Sequence, residues 1–198
     1  SELSRVASGE LSLLNSSEEL RDAYTDALAW GTLTGGAFTP HRLDGVIDLN
    51  GIVKARAMQA AGAALSSAGC RDWSLNVGGD ILVSSVGGAP TGIVDPADRA
   101  TLLATINLSG TRRAVATSGS AERGDHIWLA GSTERAEFVQ ATVVADDIVT
   151  ADILATAIIA GGQAALDEIT TRWDVDVLTV DRSGELLASP GLRASLVR

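Results

Sequence analysis

The sequence predicts an α+β protein with a largely antiparallel or mixed sheet. Two stretches carry helix signals, one opened by a serine cap and one rich in alanine. Between 101 and 145 several short segments alternate in polarity or are β-branched, as strands do. These strands come as a run between helices instead of in strict βαβ alternation, which separates α+β from α/β architecture.

Taken in order, Ser16-Ser-Glu-Glu19 reads as a capping box, in which a hydroxyl and a carboxylate satisfy free N–H groups, and opens a helix to about Leu33. Gly35 and Gly36, within Thr34-Gly-Gly-Ala-Phe-Thr-Pro40, break it. Asn50 can cap a second helix running to about Ala68, with Ile52, Met58, Ala61 and Leu65 along one side and Gly69 where a left-handed residue ends it. Strands are predicted at about 74–77 and 79–85, with Gly78-Gly-Asp80 between them as a turn or bulge. Gly87-Gly-Ala-Pro90 turns the chain before strands at 101–108, 112–117, 126–129 and 139–145. A helix from Thr150 to about Ile159 ends at Gly161–Gly162, and a short helix follows at 163–172. Val175–Val180 and Glu185–Ala188 form a closing hairpin around Asp181-Arg-Ser-Gly184.

The chain has 198 residues, 45% of them apolar, so a buried core is available. The formal net charge of −10 argues against nucleic acid as a partner, because phosphate contacts need clustered Lys and Arg. The single cysteine, Cys70, excludes an intrachain disulfide and a thiolate metal site. No apolar run reaches the roughly 18–20 residues of a membrane span. Neither a basic n-region nor an apolar h-region opens the chain, so the reading carries no signal peptide and leans to the cytoplasm over an exported mature form.

Four places bear on chemistry. Lys54 is the only lysine, and it sits in the first turns of the second helix, where an ammonium beside free N–H groups suits an anionic ligand. Glycines at 51, 78 and 79 permit close backbone approach. Ala116-Thr-Ser-Gly-Ser120 leaves a strand into a small polar loop, which is either an ordinary surface loop or a phosphate or flavin edge contact through Thr117, Ser118 and Gly119. Asp152 and Thr156 lie one helical turn apart and offer two hard oxygen ligands suited to Mg²⁺. The plainer alternative has Asp152 favouring the helix dipole and Thr156 bonding back to a carbonyl. His126 is one of two histidines and fits a packed or capping residue as well as a reacting one. The four tryptophans are spread out and read as core plugs.

In this order the pieces resemble the ApbE-type FAD:protein FMN transferase family. Ser1-Glu-Leu-Ser-Arg5, Thr34-Gly-Gly-Ala-Phe-Thr-Pro40, Asp48-Leu-Asn-Gly-Ile-Val-Lys54, Asn76-Val-Gly-Gly-Asp-Ile81, Gly92-Ile-Val-Asp-Pro96, Ala116-Thr-Ser-Gly119, His126-Ile127 and Ala151-Asp-Ile-Leu-Ala-Thr156 each resemble a family motif. The resemblance covers nearly the whole chain and implies one domain over residues 1–198, built as two interlocked lobes with flavin between them. It implies Mg²⁺-dependent cleavage of FAD, with FMN passed to a Thr or Ser of an acceptor protein. The alternatives are a flavoprotein that binds FAD without transfer, or a pyrophosphatase releasing FMN and AMP. By motif position, Asp152, Thr156 and the Val53 carbonyl would hold the metal. Phe38, Lys54, Gly79, Asp80, Thr117, Ser118, Gly119 and His126 would line the flavin site, with Asp152 and His126 as the catalytic pair. The chain departs from the family pattern at Ala55, where the family has Gly, at Thr39, where it has Asp, and at Trp128-Leu-Ala-Gly after His126-Ile127.

Overall fold

The computed structural model describes residues 1–42, 44–119 and 136–197. Helices α1 (Glu2–Ala7), α2 (Glu18–Leu33) and α3 (Asn50–Ser67) come first, followed by strands β1 (Trp73–Val77), β2 (Asp80–Ser84), β3 (Ala89–Val94), β4 (Leu102–Leu108), β5 (Ala114–Gly119) and β6 (Phe138–Ala145). Helix α4 (Ile148–Arg172), β7 (Asp176–Asp181), β8 (Leu186–Ala188) and α5 (Pro190–Ala194) complete the order. The strand expected at 126–129 lies outside the described residues.

Local chemistry sets most of the boundaries. The cap of α2 is Ser17, whose hydroxyl accepts from the Leu20 N–H at 3.3 Å. Ser16, the expected cap, is buried and donates to the Leu13 carbonyl instead, at 2.7 Å. Asn50 is the first helical residue of α3 and not its cap; the Asp48 carboxylate two residues earlier takes the Asn50 N–H at 2.9 Å. The buried stripe of α3 runs Ile52, Ala55, Met58 and Gly62, while Ala61 is exposed. Gly62 stands in the stripe because the Trp73 ring fills the space a side chain would need: a Cβ there would lie 2.6 Å from that ring. Gly69, at φ +86°, ends the helix with paired bonds from Gly69 to Ser66 and from Cys70 to Leu65.

Six strands form one antiparallel sheet in the order β1-β2-β5-β6-β7-β8, and β3 and β4 pair as a separate ribbon. Strand alternation gives the sheet two apolar faces. Leu82, Ala114, Ala116, Ala141, Val143 and Val177 meet α3 and α4 in the larger core. Val83, Val115, Val144, Leu178 and Val180 meet Ile93, Ile106 and Leu108 of the ribbon and Leu192 of α5. The sheet is thus a middle layer between helices and ribbon. The chain's last described residues close the far edge of the ribbon. Asn107 donates to the Ser195 carbonyl at 2.9 Å and Val197 to that of Thr105 at 2.8 Å.

Helix α4 is the buried axis of the fold. Asp147 caps it, accepting from the Thr150 N–H at 2.9 Å and hydroxyl at 2.6 Å, so it starts two residues before the expected Thr150. Gly162, at φ 61° and ψ −149°, breaks it where the glycine pair predicted a stop. Contrary to the expectation that no apolar run is long enough, it is, among the described residues, the one helix long and apolar enough to cross a membrane, because it continues past the glycine pair; 67% of its apolar window is buried inside the fold. Trp30, Trp73 and Trp173 pack against the larger core, as plugs do.

Candidate functional site

The β1–β2 turn anchors the site. Gly78 (φ 64°) and Gly79 (φ 94°) are both left-handed, a geometry that costs a side-chain-bearing residue but not glycine. The Asn76 carboxamide oxygen accepts from the Gly79 N–H at 3.2 Å, and the register pairs Val77 with Asp80. This tight turn puts Asp80 at the start of β2 on the helix-facing side, where it is 1% exposed.

Lys54 of α3 reaches across to it. Its ammonium contacts one Asp80 oxygen directly and stands 3.4 Å from an Asp152 oxygen on α4. The other Asp80 oxygen accepts from the Thr117 N–H of β5 at 3.1 Å. Three elements far apart in sequence are thereby tied by charge: α3, β2 and α4. Asp152 is 3% exposed, so both carboxylates are out of water and share the ammonium. These three side chains sum to −1, which leaves room for a further cation. One turn beyond Asp152, the Thr156 hydroxyl lies 3.0 Å from that of Ser118. Thr156 therefore points to β5.

Strand alternation divides the sequence-predicted residues between two sides of β5. Ser118 faces the helices together with Lys54, Asp80, Asp152 and Thr156. Thr117 and Gly119 face the ribbon and line an open cleft with Gly78 and Gly79. The Asp80–Thr117 hydrogen bond joins the two sides. Phe38 is 4% exposed and belongs to the larger core; its ring lies under Gly51, where a Cβ would come within 3.1 Å. Gly51 thus lets the first turn of α3 settle on that ring and hold Lys54 in place. Val53, immediately before Lys54, has a side chain 46% exposed. His126 lies outside the described residues.

The cleft also holds residues the sequence did not point to. Gln140 of β6 is 6% exposed, lines the cleft, and donates to the Val94 carbonyl at 3.1 Å, bridging sheet and ribbon. Asp95 and Arg99 form its outer wall. The Gly92–Pro96 motif marks this wall in the sequence, whereas nothing in a β-branched segment sets Gln140 apart. Two departures from the family pattern find a physical account. Ala55 is fully buried and its methyl fills the core, and Thr39 accepts the His41 N–H at 3.1 Å, a turn contact an Asp also makes.

Oxygen is the only donor type that Asp152, Thr156 and Ser118 present, which suits Mg²⁺ and not zinc. Among the described residues no three His, Cys, Asp or Glu side chains cluster as metal ligands, so a cation here would rest on one carboxylate plus neutral oxygens. Gly119→Ala tests how closely the cleft floor is packed. Its Cβ would meet the Val139 carbonyl oxygen at 2.5 Å and the Gln140 Cα at 3.3 Å, both backbone that cannot swing aside. The variant is expected to lose about 1–3 kcal/mol, the usual cost of overpacking, in urea unfolding.

A helix-covered antiparallel sheet with a β-ribbon on its other face defines the class, an α+β fold shared with a set of solved structures. The chain belongs to the ApbE family, whose model matches residues 41–179. The ApbE protein of Thermotoga maritima shares the fold with a TM-score of 0.76 and 23% identity, over 92% of this chain and 79% of that one. The flavin transferase ApbE of Vibrio cholerae gives 0.73 and 19%, over 91% and 77%. The flavinyl transferase ApbE of Pseudomonas stutzeri gives 0.71 and 14%, over 91% and 75%. No curated protein matches the sequence.

Proposed function

We propose that this chain is an Mg²⁺-dependent FAD:protein FMN transferase. The observation that carries the reading is the buried Lys54–Asp80–Asp152 cluster, set against the Ser118–Thr156 hydroxyl pair and beside the Gly78–Gly79 cleft. Family membership and the likeness in fold to the flavin transferase of Vibrio cholerae and the flavinyl transferase of Pseudomonas stutzeri support it.

Each residue then has a task. Gly78, Gly79 and Gly119 leave the cleft open for close approach of a planar or phosphate-bearing ligand. Asp80 fixes both the Lys54 ammonium and the β5 backbone at Thr117, so ligand-side groups are positioned before binding. Asp152 and Thr156, with the Val53 carbonyl, would hold Mg²⁺, which supplies charge neutralisation and Lewis-acid help at the pyrophosphate. The acceptor Thr or Ser oxygen attacks the FMN phosphorus and AMP leaves with the bridging oxygen. His126 is assigned to take the hydroxyl proton.

The test is incubation with FAD, with and without Mg²⁺, plus an acceptor peptide carrying a Thr flavinylation site. The expected result is a fluorescent peptide heavier by FMN less water, with AMP released in equal amount and only when Mg²⁺ is present. Free FMN and AMP with no peptide adduct assigns hydrolysis, and flavin binding without turnover assigns a binding protein.

A further inference from the structure

The opposite end of the β2–β5 pair holds a second concavity, away from Asp80 and Gly119. It encloses about 200 Å³, smaller than the sites of drug-sized ligands and of a size for a phosphate-bearing group. Arg71, Arg112 and Arg113 line it with Ser84, Ser85 and Ser109, and among its described lining residues there is no carboxylate. In a chain with 25 acidic and 15 basic residues this is a local reversal of charge.

The arginines are not equivalent. Arg112 is saturated: it bonds Asp176 at 2.9 Å, the Asp174 carboxylate at 2.6 Å and the Asp174 carbonyl at 2.7 Å. Its charge is spent on these two carboxylates, so it lends the pocket no free cation. Arg113 is pinned through Nε to the Val83 carbonyl at 3.1 Å, which orients the rest of its planar fork. The Arg71 main chain is held by the Ser84 hydroxyl at 3.0 Å, and among the described residues no ion pair joins Arg71 or Arg113 to an acid. Val86, 95% exposed, stands at the rim.

We propose that this pocket binds a phosphate monoester, with Arg71 and Arg113 on the dianion, Ser85 and Ser109 as neutral donors, and Val86 against the ester group. Arginine forks match phosphate oxygens in pairs, and an anchored fork loses little freedom on binding. The phosphate of a small metabolite and that of a larger ester share this chemistry. The pocket does not depend on the flavin reading, since it shares no residue with the flavin cleft.

The test is calorimetric titration at low salt with phenyl phosphate and with inorganic phosphate, on the full chain and on Arg71→Gln, Arg113→Gln and Arg193→Gln. Saturable binding of both probes is expected in the unmodified chain, phenyl phosphate the tighter. Each of the first two substitutions is expected to weaken it at least ~10-fold, the loss of a hydrogen bond to a charged group. Arg193, which bonds the Ala188 carbonyl elsewhere, is the control. No saturation in the unmodified chain overturns the proposal, as does equal binding by all four proteins. Melting curves confirm folding, and flavin titration of the Arg71→Gln/Arg113→Gln double variant, expected unchanged, keeps this outcome separate from that at the flavin cleft.

Discussion

Lys54→Ala is expected to destabilise the fold by about 3–5 kcal/mol, the cost of leaving a buried charge without its partner. The ammonium is the direct ion-pair partner of Asp80 and also stands beside Asp152, so its removal takes a cation from two buried carboxylates at once. Both are almost fully buried, and water cannot replace what they lose. Urea unfolding checks this against Arg56→Ala, which removes a cation paired with the largely exposed Asp26 and should shift stability by no more than about 0.5–1 kcal/mol. A Lys54→Ala loss below about 1 kcal/mol would place the ammonium outside the folding balance. Read from sequence alone, Lys54 is a cation facing a ligand. The structure adds that it is a strut between three elements.

Asp152→Ala acts on the same cluster with a different outcome. Lys54 keeps its direct contact with Asp80, so the ammonium stays paired and the fold should survive. What goes is the one carboxylate on the helix face shared with Thr156. Mg²⁺ affinity is expected to fall at least ~10-fold, as even indirect losses at metal sites commonly do, and Mg²⁺-dependent FAD turnover should fall with it. Mg²⁺ titration followed by calorimetry decides. Unchanged affinity in a folded Asp152→Ala protein would remove Asp152 from the metal site.

The parts of this fold legible in sequence are those written in local chemistry. The Gly78–Gly79 turn, the Gly69 stop, the Gly162 break and the β7–β8 hairpin all follow from backbone demands that few residues meet. Strand β3 was not legible, because Gly88, Pro90 and Gly92 signal turns. The structure tolerates them since β3 pairs with β4 alone, and Gly92 gives the Leu102 side chain its space. Helix starts lie one or two residues from the positions the sequence points to, as at Ser16 and Ser17. Motifs mark candidate site residues singly and carry no information on which side chains meet. That Lys54 would lie between Asp80 and Asp152, or that Thr156 would meet Ser118, depends on how three distant elements pack.

The pairing of residues 195–197 with β4 has a consequence for the order of assembly. Strand β4 leaves the ribosome long before Ser195 and Val197 do, and until they arrive one of its edges has no partner. The same delay applies to Leu192, which fills the core between ribbon and sheet. The helical side can therefore complete first, while the outer wall of the cleft, carried by Val94 and Asp95, gains its full support only when residues 192–197 dock on the ribbon.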